Sequence, residues 1–293
     1  MQTIKIDHVS LATNDLMATC NAFEKMNLKP EYGGVHSTGT THMSLLGFFD
    51  GSYIEIISRV DDKIPSIWTK EILENAGPCA WAIQVDNIHF EVERIRKLGI
   101  PVIGPEYYFR KRPDGVLVEW ELAFLGNGEP GTLLPFIIQD RTKRELRVRP
   151  SACFSKEYKP NKTLSALING VAFVMLVVRN VEMTQKLFEK VFGSSDWLED
   201  KSSFLNTNIY WKLKSPVILV SGKTNQKWLL DRIDSFGEIP CAFLFKSANL
   251  KDAIEYFDLT NQESLFNGQL TVAWFGKSKF NTNGHLGLVE LTN

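Results

Sequence analysis

The residue types best suited to chemistry lie early in the chain, in two short strand-like runs. His8 sits in Asp7-His8-Val9-Ser10-Leu11, and Glu55 sits in Tyr53-Ile54-Glu55-Ile56-Ile57. Successive strand side chains point to opposite faces. If Val9, Leu11, Ile54 and Ile56 face a packed helix, then His8, Ser10, Tyr53 and Glu55 face the other side together. An imidazole and a carboxylate in one space suit a divalent transition metal, one of Zn, Ni, Mn or Fe. They suit a polar organic ligand equally well.

Further candidates flank this pair. The stretch Gly33 to His42 is polar and glycine-rich and holds His36 and His42. Thr40, His42 and Ser44 form the more polar face of the strand that follows, so His42 is expected to join His8 and Glu55 as a metal ligand or to contact substrate beside His36. Arg110 and Arg112 precede Pro113-Asp114-Gly115, where a guanidinium could clamp a carboxylate or phosphate. The alternative is a solvated charge cluster at a hairpin. Glu119 and Glu121 alternate with Trp120. If the glutamates face the cavity, Glu121, like Glu55, is a candidate general base and Trp120 a substrate contact. If they face solvent, they are ordinary surface charges.

Positioning these groups requires a repeated framework. Ile4 to Thr13 reads as a strand, Asp15 as an N-cap, the following residues to Leu28 as a helix, and three strand-like runs follow near Lys29–Tyr32, Thr41–Phe49 and Ser52–Ser58. The same βαβββ order begins again near Ala80, Val171 and Ala242. Phe23-Glu24-Lys25-Met26 returns as Phe188-Glu189-Lys190-Val191, and Pro78-Cys79-Ala80-Trp81 returns as Pro240-Cys241-Ala242-Phe243. The expected organisation is α+β, with four tandem βαβββ modules paired into two domains. Modules 1–75 and 76–140 form the first domain, and modules 165–235 and 236–293 form a divergent second domain. Between them, residues 141–164 carry eight Lys or Arg against two acids, Glu145 and Glu157, and read as a solvated basic linker, with an anion site as the alternative.

Composition narrows the function classes. The chain has 293 residues and a formal net charge of −1, with 44% hydrophobic and 23% charged residues. Nothing in that balance supplies a global field for nucleic acid or an anionic membrane. No apolar run approaches the roughly 18 residues of a membrane span. The four cysteines are far apart and form no CxxC pair, and the N-terminus reads as a strand with no signal-peptide pattern, so a reduced cytoplasmic protein is expected. No Walker loop, GxGxxG, GxSxG or HExxH is present.

The stretches IDHVSLATNDL, GGVHSTGTTHMSLLGF, DGSYIEII, RKRPDGVLVEWEL and LLPFIIQD occur in order across residues 4–140. With the paired βαβββ pattern, they make the chain resemble the glyoxalase-3-type glyoxalase-like domains of the vicinal oxygen chelate superfamily. That resemblance implies a glyoxalase, bleomycin-resistance and dihydroxybiphenyl-dioxygenase-like fold. It also implies a metal held by the first and last strands of each module, here His8 and Glu55. Module two breaks this pattern: aligning Asp15 with Asp86 sets Cys79 opposite His8, and Pro135 or a neighbour opposite Glu55. In module three Phe173 and Val220 fall at those positions. The resemblance therefore implies lyase, isomerase or dioxygenase chemistry on a small oxygenated substrate. The rival is a metal-free protein that binds or sequesters a small molecule. The cup can be completed within one chain or across a homodimer.

Overall fold

A computed structural model describes residues 4–61, 63–193, 196–277 and 279–291. The chain forms two eight-stranded sheets of identical strand order. The first module runs β1 (Lys5–Ala12), α1 (Leu16–Glu24), β2 (Glu31–Val35), β3 (Thr41–Gly47) and β4 (Tyr53–Arg59), and α2 (Thr69–Leu73) leads out of it. The second runs β5 (Gly77–Gln84), α3 (Ile88–Lys97), β6 (Val102–Lys111), β7 (Leu117–Leu125) and β8 (Phe136–Asp140). Together they make one sheet in the order β2-β3-β4-β1-β5-β8-β7-β6.

A connecting segment holds α4 (Arg144–Arg147), β9 (Glu157–Lys159) and β10 (Lys162–Thr163). The third module is β11 (Val171–Val178), α5 (Val181–Phe192), β12 (Trp197–Ser202), β13 (Thr207–Lys212) and β14 (Val217–Ser221), followed by α6 (Lys227–Phe236). The fourth is β15 (Ile239–Lys246), α7 (Leu250–Phe257), β16 (Asn261–Leu265), β17 (Leu270–Trp274) and β18 (His285–Leu291). The fold is thus the two-domain βαβββ arrangement, with α2, β12, α6 and β16 among the elements that the sequence pattern does not announce. No helix among the described residues is long and apolar enough to cross a membrane.

Each module helix starts in the same way. Asp15, Asn87, Asn180 and Asn249 stand in non-helical backbone and accept a hydrogen bond from the N–H three residues on. The second cap is therefore Asn87 rather than Asp86, and this moves the module alignment by one residue. The helices lie on one face of each sheet over a shared core that includes Val9, Leu11, Phe23, Ile54, Trp81, Val174, Phe188 and Phe243. The opposite, concave faces hold a second set that includes Met43, Ala80, Ala82, Trp120, Phe136, Phe173, Ile218 and Trp274.

Register fixes which residues share a face. In the parallel β1–β4 pair, His8 lies beside Tyr53 and Ser10 beside Glu55. In the parallel β5–β8 pair, Ala82 lies beside Phe136. With the cap alignment, Ala80 stands where His8 does and Phe136 where Glu55 does, in place of Cys79 and Pro135. In the parallel β11–β14 pair, Met175 lies beside Ile218, so Ile218 rather than Val220 takes the place of Glu55.

Segment 141–164 is not a solvated linker throughout. Arg144 and Arg147 project from α4 onto Asp7 of β1, and Arg147 is 4% exposed. Ser151 and Gly47 exchange hydrogen bonds (Gly47 N to Ser151 Oγ, 3.1 Å; Ser151 N to Gly47 O, 2.9 Å), which fastens the segment to β3.

Candidate functional site

The concave face of the first sheet encloses a cavity of about 580 Å³. Module one supplies a polar end built from His8, His36, Thr41, Tyr53 and Glu55. Module two supplies Trp120, Leu122, Phe124 and Phe136, and Trp68 closes the apolar side. A cleft of about 640 Å³ lies between the halves, but its lining has exposed lysines and no histidine, so the candidate chemistry sits in the smaller cavity.

His8 is fixed from behind. Its Nδ1 is 2.7 Å from Asp7 Oδ1. The buried Asp7 also accepts from Arg147 Nη1 at 3.1 Å and Nη2 at 2.9 Å, and it pairs with Arg144. Burial alone would push the Asp7 carboxyl up, but the Arg147 charge, the His8 hydrogen bond and Arg144 hold it well below the usual carboxylate range. An ionised Asp7 accepts from His8 Nδ1–H, which turns Nε2 toward Glu55 Oε2 at 3.7 Å. The His8 ring stacks on Tyr53 with centroids 4.6 Å apart.

Glu55 receives three neighbours. Ser10 Oγ donates to Oε2 at 3.3 Å, His36 Nε2 reaches Oε1 at 3.3 Å, and His8 faces it. Burial raises its pKa, but the His36 hydrogen bond and the charges of His36, His8 and Arg110 overcome that and bring it to about 2. Glu55 is therefore held ionised and accepts from its neighbours. Since it can only accept, His36 Nε2 carries the proton, and His36 Nδ1 accepts from Thr41 Oγ1 at 2.7 Å. Tyr53 accepts from Arg147 Nη1 at 2.7 Å, and burial raises its pKa, so its hydroxyl stays protonated and can donate.

Arg110 on β6 is 4% exposed and lines the cavity. It donates to the carbonyls of Gly33 and Arg147 and has no carboxylate within 4 Å among the described residues.

Several expected site residues lie elsewhere. In the antiparallel β3–β4 pair, Leu45 stands opposite Glu55 and Met43 opposite Ile57, so Thr41, Met43 and Leu45 face the cavity. His42 therefore points to the other face, edge-on to Tyr32, and cannot join His8 and Glu55. Glu121 lies across β7 from Trp120, 3.1 Å from Arg141 and 3.4 Å from His89, outside the cavity and away from any role as base there. Arg112 turns to Leu146 O and Asp114 and does not line this cavity. The structure brings together His8, His36, Glu55, Arg110 and Trp120. It places Tyr53 beside them as the strand alternation implies, and adds Asp7, Arg147, Thr41 and Trp68, which residue types alone did not single out. The Asp7-His8 adjacency, and the i, i+3 spacing of Arg144 and Arg147, were the available signals.

A resident metal fits this arrangement poorly. The positions equivalent to His8 and Glu55 in module two are Ala80 and Phe136, so that module offers no ligand. Among the described residues, no group of three or more His, Cys, Asp or Glu is placed to hold a metal ion. Arg110 adds a positive charge to the same end of the cavity, near Glu55.

Paired βαβββ modules curled around a cup define the vicinal oxygen chelate class of proteins. Residues 6–192 match the family model of the glyoxalase-like domain. The chain belongs to that glyoxalase-like family, and the match runs past the first domain into α5. No curated protein matches the chain significantly. Among solved structures, a hypothetical protein from Staphylococcus aureus is similar at 14% identity, covering 97% of this chain and 98% of its own, with a TM-score of 0.59. A mutant 4-hydroxymandelate synthase from Streptomyces coelicolor is similar at 10% identity, covering 100% and 94%, with a TM-score of 0.61. An Mn(II)-bound glyoxalase from Novosphingobium aromaticivorans is similar at 12% identity, covering 97% and 81%, with a TM-score of 0.57. At these identities the likeness is one of fold.

Proposed function

We propose that the first cup binds a small carboxylate-bearing molecule with an aromatic or similarly flat apolar body, without a resident metal. Arg110 carries this reading. A buried guanidinium that meets only carbonyl oxygens is a cation in want of an anion, and bidentate pairing with a carboxylate is its best partner. Tyr53 offers a hydroxyl donor beside it. Trp68, Trp120 and Phe136 give the body of the ligand aromatic surfaces to pack on. Two similar structures bear names that contain aromatic acids, 4-hydroxymandelate and 4-hydroxyphenylpyruvate, the latter in a fusion protein. The reading rests on Arg110 and gains only company from those names.

The test is calorimetry and thermal-shift measurement with benzoate, phenylacetate and 4-hydroxyphenylacetate, each against its neutral amide. A ligand selective for the folded state raises apparent stability. Acids are expected to bind and amides to bind at least about tenfold more weakly, since one charge-assisted hydrogen bond is worth about 1.5–3 kcal/mol. Arg110→Gln should erase that preference and Arg110→Lys should keep part of it. Equal binding of acid and amide would overturn the reading. So would a stoichiometric divalent ion lost in both His8→Ala and Glu55→Ala, which would restore the metal-centred chemistry of lyases, isomerases or dioxygenases.

A further inference from the structure

Arg110 borders two spaces. Besides the larger cavity, it lines a smaller pocket of about 220 Å³ whose walls include Arg112, Arg147, Arg149 and Ser151, with Glu31 and Asp114 also present. These groups differ in how far their charge is already met. Arg147 is paired with Asp7 and Asp140, and Arg112 with Asp114 at 2.7 Å. Arg110 and Arg149 have no carboxylate within 4 Å among the described residues, and Arg149 spends only Nε, on Glu145 O at 3.1 Å. Ser151 is 2% exposed and accepts from Gly47 N, which leaves its own hydroxyl proton to donate. At position 33 any side chain would start 2.9 Å from Arg110 Nη1, so glycine keeps that wall open.

A compact tetrahedral anion fits such a set of donors. Its oxygens can take several N–H groups at once, where a carboxylate offers only two acceptor atoms. We propose that this smaller pocket binds a phosphate-class oxyanion, and that it does so in opposition to ligand in the larger cavity because both draw on Arg110. The opposition rests on the carboxylate reading above; the oxyanion pocket does not. An anion beside Arg110 on one side lowers the attraction that remains for an anion on the other. The weakening must be reciprocal, since the coupling is one free energy shared by two sites.

The probes are inorganic phosphate and methyl phosphate, titrated into the full chain in chloride buffer at constant ionic strength and followed by calorimetry and 31P line broadening. Saturable one-site binding is expected for inorganic phosphate. Binding of methyl phosphate in addition would assign the pocket to phosphoryl groups, and its exclusion would assign it to the free anion. Arg112→Gln and Arg149→Gln should each weaken phosphate at least about tenfold. Arg149 is exposed and its variant should fold normally and bind phenylacetate as the wild type does in phosphate-free buffer. Saturating phosphate should weaken phenylacetate at least about threefold in the wild type and have no effect in Arg149→Gln. Absence of saturable phosphate binding, or wild-type binding in both variants, overturns the pocket. Phenylacetate affinity that ignores phosphate overturns the opposition. Phosphate binding with no aryl carboxylate binding upholds the pocket and overturns the carboxylate reading, and the opposition with it.

Discussion

Asp7→Asn is the sharpest test of how the cavity is held in shape. Asp7 is fully buried and ties its neighbour His8, at 2.7 Å, to two arginines of the distant α4, Arg147 at 2.9 Å and Arg144. Asparagine keeps the volume and removes the charge. Arg147 then keeps only Asp140 as a counterion, and His8 keeps at most a neutral amide oxygen in place of the carboxylate that fixes its tautomer. Removing one partner of a buried pair costs about 3–5 kcal/mol. Because Asp140 still meets part of the Arg147 charge, the lower end applies, about 3 kcal/mol. At about 2–4 °C per kcal/mol, the thermal midpoint should fall by about 6–12 °C at pH 7. Arg147→Met should cost a similar amount, and the double variant should cost clearly less than the sum, since the two changes remove one interaction. The pH dependence has a definite sign. Asp7 titrates well below its ordinary value in the folded chain, so its contribution is fully present above about pH 4 and is lost as pH falls further. The gap between wild type and Asp7→Asn should therefore close in acid. A midpoint within about 2 °C of wild type at pH 7, or costs that simply add, would refute the argument.

Three further outcomes are expected. Glu55→Gln should lose on the order of 3 kcal/mol of stability, from a carboxyl pKa brought from 4.5 to about 2. In denaturant titrations that gap should shrink as the pH falls from about 5 toward 2. Gly47→Ala should destabilise by about 1–3 kcal/mol, because its Cβ would press on the Arg149 carbonyl, which is backbone and cannot swing away; the thermal midpoint reads this. Arg232→Met should lower the urea midpoint by the equivalent of at least about 4 kcal/mol. Arg232 is fully enclosed and donates to the carbonyls of Ala76, Pro78, Pro240 and Asn283, each left unmet at about 1–3 kcal/mol. Lysine at that position should recover only part, since one ammonium cannot span four acceptors.

What the sequence reveals and what it hides follow from the range of the interactions involved. Periodicity is local, so the βαβββ order, the caps at Asp15 and Asn180, and the shared face of His8, Ser10, Tyr53 and Glu55 can all be read from it. The choice between the two faces of a strand is not local. Around β3 the polar set Thr40, His42 and Ser44 looks like the cavity side, yet within the strand Thr41, Met43 and Leu45 line it, because β4 sets Leu45 opposite Glu55, and Thr40 reaches the cavity only from the bend before β3. Two of the three inward side chains of that strand are apolar, so polarity is the wrong guide there. On β7 the alternation separates Glu121 from Trp120 correctly but cannot say which side the cup lies on. Arg147 is the extreme case. Its partner Asp7 lies 140 residues away, and in sequence it is one of eight cations in a stretch that looks solvated.

The two cups show what burying a polar site demands. At the positions of His8 and Glu55 the second sheet carries Phe173 and Ile218, and its concave side is filled by Trp211, Phe266 and Trp274. Phe173 meets Trp211 at 5.7 Å and Trp211 meets Phe266 at 5.4 Å, so that interior is closed by ring contacts. Each such side chain contributes about 1.5–3 kcal/mol when fully buried. The first cup gives up that packing to hold an open cavity and a buried charge network, whose desolvation is costly. It then borrows rigidity from outside its own sheet: α4 delivers Arg144 and Arg147 to Asp7, Lys246 pairs with Asp50 at 2.8 Å, and Val171 N donates to Ser52 Oγ at 2.9 Å. Arg232 adds its grip on Ala76 and Pro78 from the second half. The densely packed second half thus acts as a brace for the first. Duplication of one fold can supply this division directly, because the register stays the same while side chains in one copy are free to become a core.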